Sequence, residues 1–585
     1  MFDTVLRNGS IVDVSKSAVY RADLGIKDGV IKEIGAIRKD AARIFDLAGQ
    51  LISPGFIDFH IHIESSMLSP LEFSHAAVRH GTTTVMVDPH EIANVCGRDG
   101  VRLFLQQADL LPLDMYVGIP SCVPATNMET AGATITLADI RELLPDPRIY
   151  GLAEMMNFPG IIFGFGDARE RVDLVFESGK LVDGHCPGLR GEELVAYITN
   201  GRRDGIIRIM SDHETLTGDE AMEKGSTGIF VGLRYGSATR DMERILPVLI
   251  DNHVSLDQYL LCSDDLDPVD LHGDGHMDRI IRAARDIFLK KGKMDLTSAS
   301  LRAIALATIN PGRYLSKFLD LVKKPRIGEI KIGYQANLVV LESLETLNVN
   351  RVFLAGNPVV EAREVIHAIP DFDYQSVSGR VNIGRRLGAD DFRINAPGPA
   401  ERVDAKVIEM VTGSLETKLV TVSLPVSGGE VQPIAEEDVA RIAVLERHHA
   451  SGNTALGFVK GLGLRRGALA STVAHDSHNV IVAGIDTAAM AEAVNLLSDR
   501  GGGMVVVLDG VEYFPLEIAG LMSTAPIERV IEAHGRLIRA AKRTGSDHHN
   551  PFMALAFLAL PVIPQLKITD RGLVDVSKFD FVDLF

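Results

Sequence analysis

Apolar and polar residues alternate through Phe56, Ile57, Asp58, Phe59, His60, Ile61 and His62. On a strand, residues two apart share a face, so both imidazoles point the same way. Further apolar runs recur in GTTTVMVDPHE (81–91), YGLAEMMNFPG (150–160), KLVDGHCPGL (180–189), GIIRIMSDHE (205–214) and QYLLCSDD (258–265), each closing on a polar cluster. Helical stretches such as LEFSHAAVRHG and MDRIIRAARDIFLKKG lie between them. Apolar strands alternating with helices predict a buried parallel sheet. The interval 54–320 is close to the roughly 250 residues of a (β/α)₈ barrel.

The flanks have a different texture. Residues 2–53 read as short strands separated by Gly and Asn turns, with NGSIVD and KDGVIKEIG suiting hairpins. The same texture returns at 326–360, so 1–53 and 321–390 are expected to form one composite β-sandwich-like domain that the barrel interrupts. From 391 to 585, VTVSLPV, NVIVAGI and GGMVVVLDG alternate with helical stretches, which predicts an additional C-terminal α/β domain. PFMALAFLALPVIP (551–564) is too short for a membrane span and reads as buried core.

Composition narrows the function. A chain of 585 residues exceeds one hydrophobic core. A formal charge of -18 argues against a general nucleic-acid binder. MFDTVLRNGSIVD lacks the basic and apolar regions of a signal peptide. Four dispersed cysteines without a CxxC pair suit a reduced, cytoplasmic protein with no membrane partner.

In a barrel of this kind the site is built at the C-terminal ends of the strands. His60, His62, His90, Glu154, His185, His213 and Asp264 could therefore converge. Imidazole and carboxylate are ligands for divalent Zn, Mn or Fe. Four histidines, a bridging carboxylate and one further aspartate would hold two ions with hydroxide between them. The reading is a metal-dependent (β/α)₈ barrel.

GFIDFHIH, followed by single strand-end histidines and a last aspartate, resembles the amidohydrolase superfamily. Longer strings are similar to the bacterial adenine deaminase family: FIDFHIHIESSMLSP, VMVDPHEIANV, GLAEMMNFPG, GHCPGLRG and SDDLDPVDLHGDGHMD, then ERHHASGN and GLGLRRGALASTVAHDSHN near the end. The resemblance spans nearly the whole chain. It implies hydrolysis of adenine to hypoxanthine and ammonia by a metal-bridged hydroxide attacking C6. Two divalent ions per subunit, Mn or Fe with Zn as the alternative, and a homodimer or larger homo-oligomer go with it. Carried across, His60 and His62 bind one metal, His185 and His213 the other, and Glu154 bridges them. Asp264 binds the first metal and shuttles protons. His90 is the first choice for the acid that protonates the purine, with Asp88, Glu91 and Glu214 as further candidates for that step or for substrate binding.

Other readings stay in view. HIE (62–64) matches half of the zinc nucleobase deaminase signature, but the required P-C-x-x-C is absent. GLGLRRG (461–467) reads as a tight turn, and Cys186 and Cys262 as core packing. RHH (447–449), HDSHN (475–479) and DHHN (547–550) read most simply as surface and turn chemistry; a cap over the barrel mouth or a subunit contact is the alternative. Rival functions are a binuclear amidohydrolase acting on an amide or cyclic amide, and a non-catalytic assembly protein that keeps the fold.

Overall fold

The computed structural model describes residues 1–585 apart from 238, 412 and 413. Among the described residues, eight parallel strands make a barrel. They are Phe56–His62, Thr82–Val87, Asp114–Ile119, Ile149–Met155, Leu181–Gly184, Ser211–Asp212, Phe230–Arg234, and Tyr259–Cys262 continued by Asp264–Asp265. The first five pair in chain order, as do the sixth to eighth. Met210 N–H bridges the two runs by donating to Val182 O at 2.9 Å. Asp264 and Asp265 pair with Ile61 and His62, which closes the ring. Asp58, buried on the first strand, accepts from the Ser263 N–H at 3.1 Å and its hydroxyl at 2.5 Å across that seam.

Local sequence explains the elements. TTTVMV at 82–87 is mostly β-branched and wholly buried, as a central strand requires. The helix Pro70–Arg79 starts on Ser69, whose hydroxyl accepts from the Glu72 N–H, with proline in the first turn. Met277–Lys290 turns Met277, Ile280, Ile281, Ala284 and Phe288 inward at helical spacing.

Strands from both flanks share one sheet, because Leu51–Pro54 pairs antiparallel with Leu338–Leu341. The expected hairpin turns at Asp28 and Gly29, both with positive φ. The turn expected at Asn8–Gly9 does not form. Phe2–Asp13 runs through it as one strand with a bulge between Leu6 and Gly9. Glycine is needed there for packing, since a Cβ would lie 2.4 Å from Ile52 Cδ1.

The C-terminal region builds a nine-stranded, largely antiparallel sheet with the helices Thr487–Arg500 and Ile527–Arg543. Val381, Ile383 and Leu387 pack in the cluster around Met490, Val494 and Leu497 of the first helix. Phe552, Leu555 and Leu558 of the 551–564 stretch are buried. A continuous apolar cluster joins Ile63, Met67 and Leu68 at the barrel mouth to Leu521, Met522 and Phe552. Backbone bonds stitch the same contact, Ser69 N–H to Ser523 O at 3.0 Å and Ser523 N–H to Met67 O at 2.8 Å. The C-terminal region therefore sits over the C-terminal ends of the barrel strands.

Candidate metal centre

His60 and His62 leave the first strand on one face, and their Nε2 atoms stand 3.0 Å apart. Asp264, at the barrel seam, turns Oδ1 toward both, 3.3 Å from His62 Nε2 and 3.8 Å from His60 Nε2. Glu154, on the fourth strand, lies at the centre. Its Oε1 is 3.5 Å from His62 Nε2 and 3.3 Å from His90 Nδ1. Its Oε2 is 2.5 Å from His185 Nδ1 and 3.1 Å from His213 Nε2. The His60 and His213 rings stack with centroids 3.7 Å apart. All but His185, which is partly exposed, are buried.

The structure thus brings together His60, His62, Glu154, His185, His213 and Asp264. Three of the substrate or acid candidates adjoin the cage: Asp88 and His90 beside Glu154, and Glu214 beside His185 and His213. His90 is not at the strand end itself but opens the helix His90–Cys96. Glu91 points elsewhere, with its carboxylate 3.2 Å from His475 Nδ1 and 3.3 Å from His478 Nε2.

The donor set fits divalent cations. His213 Nε2 is buried without a hydrogen-bond partner. Orphaned polar atoms of this kind are costly unless something else pairs with them. Donor separations near 3.0–3.5 Å suit atoms sharing an ion at about 2.0–2.2 Å.

Charge is balanced within the cage. Burial pushes the Glu154 carboxyl up, but His185 and His213 outweigh it and hold it well below the carboxylate range. Asp264 is likewise raised by burial and then held down by His62 and Arg234. Burial pulls His213 down, yet Glu154 carries it to about 9. Asp88 does the same for His90, which reaches about 10. His60 is driven low by burial, with His213 and His62 adding to the effect.

Two features escape the reading of the chain. Arg234, at the end of the seventh strand, donates to Asp241 from Nε at 2.9 Å and Nη2 at 2.6 Å, and also to Glu214 and to Asp264 Oδ2. Its place at a barrel strand end is the one sequence signal it carries, and that signal alone does not single it out. The second is HDSHN. His475, Asp476 and His478 are buried against Glu91 at the barrel mouth, so the surface reading gives way to the alternative of a cap over that mouth. His449, in RHH, is exposed as expected.

A parallel eight-stranded barrel with His-x-His on its first strand, a central carboxylate on its fourth, single histidines after its fifth and sixth and an aspartate at its eighth defines a hydrolase of the amidohydrolase class. Residues 51–231 match the amidohydrolase family model, and residues 414–580 match the adenine deaminase C-terminal domain. An adenine deaminase of Desulfatibacillum aliphaticivorans is 40% identical, covering 100% of this chain and 97% of its own length. An adenine deaminase of Cereibacter sphaeroides is also 40% identical, covering 99% and 97%. The chain belongs to the adenine deaminase family.

Proposed function

We propose that this chain hydrolyses adenine to hypoxanthine and ammonia with the assistance of two divalent cations. His60, His62 and Asp264 would hold one, His185 and His213 the other, and Glu154 would serve both. Mn or Fe is the expected occupant, with Zn as the alternative. The observation carrying this reading is that one buried carboxylate, Glu154, lies within 3.5 Å of nitrogens from His62, His90, His185 and His213. Bound cations would lower the pKa of a water molecule and offset negative charge developing at the attacked carbon.

The side chains supply the proton traffic. Asp264, held ionised, turns Oδ1 into the cage and can accept a proton from water. It then delivers that proton to the exocyclic nitrogen at C6, which leaves as ammonia. His90, held protonated beside Asp88, can donate to a ring nitrogen as C6 becomes tetrahedral. As the tetrahedral centre collapses to the C6 carbonyl, the second water proton is released and restores the one His90 gave up, so water adds, ammonia departs and the atoms balance.

Ammonia release should be assayed with metal-loaded protein on adenine, a dihydropyrimidine and an N-acetyl sugar. Turnover of adenine alone is expected. Turnover confined to a cyclic amide would replace this reading by the rival amidohydrolase one.

A further inference from the structure

Outside the cage, the segment Thr472–Asn479 brings buried charge from the C-terminal region to the barrel mouth. Glu91, His475 and His478 lie close enough to hold an ion. However, His478 Nδ1 accepts the Ala474 N–H at 3.2 Å, which leaves the proton on Nε2 and no lone pair there for a metal. The trio is therefore a charged clasp between the two regions, with the Glu91 carboxylate 3.2 Å from His475 Nδ1 and 3.3 Å from His478 Nε2. Other contacts hold the same segment. Phe557 stacks on His475 with centroids 4.5 Å apart, Asn479 donates to Thr130 O at 2.9 Å, and His448 Nε2 meets Ser477 O at 2.8 Å.

The residue fixed between these anchors is Asp476. Its side chain is 6% exposed, and Oδ1 is 3.9 Å from both His90 Nε2 and His475 Nδ1. That is beyond hydrogen-bond reach, and no described residue donates a hydrogen bond to this carboxylate. A buried carboxylate without a hydrogen bond marks a place where a ligand can supply the donor. His90 approaches both groups, with Nε2 on the Asp476 side and Nδ1 3.3 Å from Glu154. The carboxylate thus lies one imidazole ring away from the cage.

Resting on the adenine reading, we propose that Asp476 accepts a hydrogen bond from the N–H of the purine's five-membered ring, which makes the C-terminal segment the determinant of free-base specificity. With C6 at the cage, the fused ring extends away from it by roughly one ring width. Free adenine has one N–H on that ring. A nucleoside replaces it with the glycosidic bond, so Asp476 would be left buried and unpaired. Mismatch of this type rejects a substrate by about 10⁴–10⁵.

The test compares wild type, Asp476→Ala and Asp476→Asn as metal-loaded, full-length enzymes. Adenine is set against 7-methyladenine and 9-methyladenine, which both lack a ring N–H; analogues without detectable turnover are measured as competitive inhibitors. In Asp476→Ala, kcat/KM for adenine should fall about 100-fold or more, largely through KM, and the preference for adenine should narrow by a similar factor. Asp476→Asn keeps an oxygen acceptor without the charge and should fall between. Metal content should be unchanged in both. An unchanged preference in both variants overturns the proposal. So does an equal loss on all three bases, which would make Asp476 only an electrostatic partner of His90. If Asp476→Ala does not fold, Asp476→Asn carries the same comparison. A wild type that releases no ammonia from adenine defeats the underlying reading, and this assignment with it; a wild type that does, with an unchanged preference in the variants, defeats this assignment alone.

Discussion

Arg234 Nη1 donates to Asp264 Oδ2 at 3.1 Å, and that bond orients the aspartate. With one oxygen engaged by the guanidinium, the other faces His60 and His62. Asp241 anchors the guanidinium from the opposite side through Nε and Nη2, so the three side chains form a buried relay of charge. Arg234→Gln should lower kcat at least 100-fold, because the orientation of Asp264 is lost. It should also destabilise the fold by about 3–5 kcal/mol, because buried Asp264 loses its guanidinium partner and Asp241 is left with Arg244 alone. Steady-state kinetics and urea unfolding check both effects, and a variant with normal kcat would show that Asp264 needs no such hold.

His60→Ala removes a nitrogen that faces His62 and stacks on His213. Bound metal should fall by at least one equivalent per chain, with turnover lost and the secondary structure retained. Elemental analysis beside circular dichroism reads this. Full metal content in the variant would place the ion elsewhere.

Asp264→Asn keeps the shape of the residue but cannot take up a proton. The expected outcome is a loss in kcat of about 10³ or more, with folding largely preserved. Near-normal kcat would remove Asp264 from the proton path.

Lys567 gives a pH signature outside the cage. Its amine is buried and donates to Leu415 O at 2.8 Å and Phe557 O at 3.0 Å. Burial lowers its pKa from 10.5 to about 7. Between these values the unfolded chain holds a proton that the folded chain has released, so this residue makes stability rise with pH across that window. The slope is at most about 1.4 kcal/mol per pH unit. Below about pH 7 both states are protonated and the contribution is flat. In Lys567→Met, the gain in stability between pH 7.5 and pH 9.5 should shrink relative to wild type. Equal gains in urea unfolding would mean that the amine stays charged in the folded chain.

The barrel and its cage are legible in the chain because both follow from local rules. Alternation places His60 and His62 on one face, and strand ends mark Glu154, His185, His213 and Asp264. Gly9 misleads because Asn-Gly is a turn signal, whereas here the absence of a side chain makes room for Ile52. Glu91 and Asp476 are obscure for another reason. The clasp between Glu91 and His475 joins residues far apart in the chain, and no periodicity in either segment announces the contact. Arg234 is likewise hidden, since a single arginine after FVGL reads as an ordinary strand terminus until Asp241 and Asp264 are placed around it.

The most direct test is a metal titration. Protein stripped with a chelator is reloaded stepwise with Mn, and adenine turnover is followed against equivalents bound. The stripped protein should be inactive, with activity rising and levelling at two equivalents per chain. Full adenine turnover by protein shown to be free of metal would contradict it.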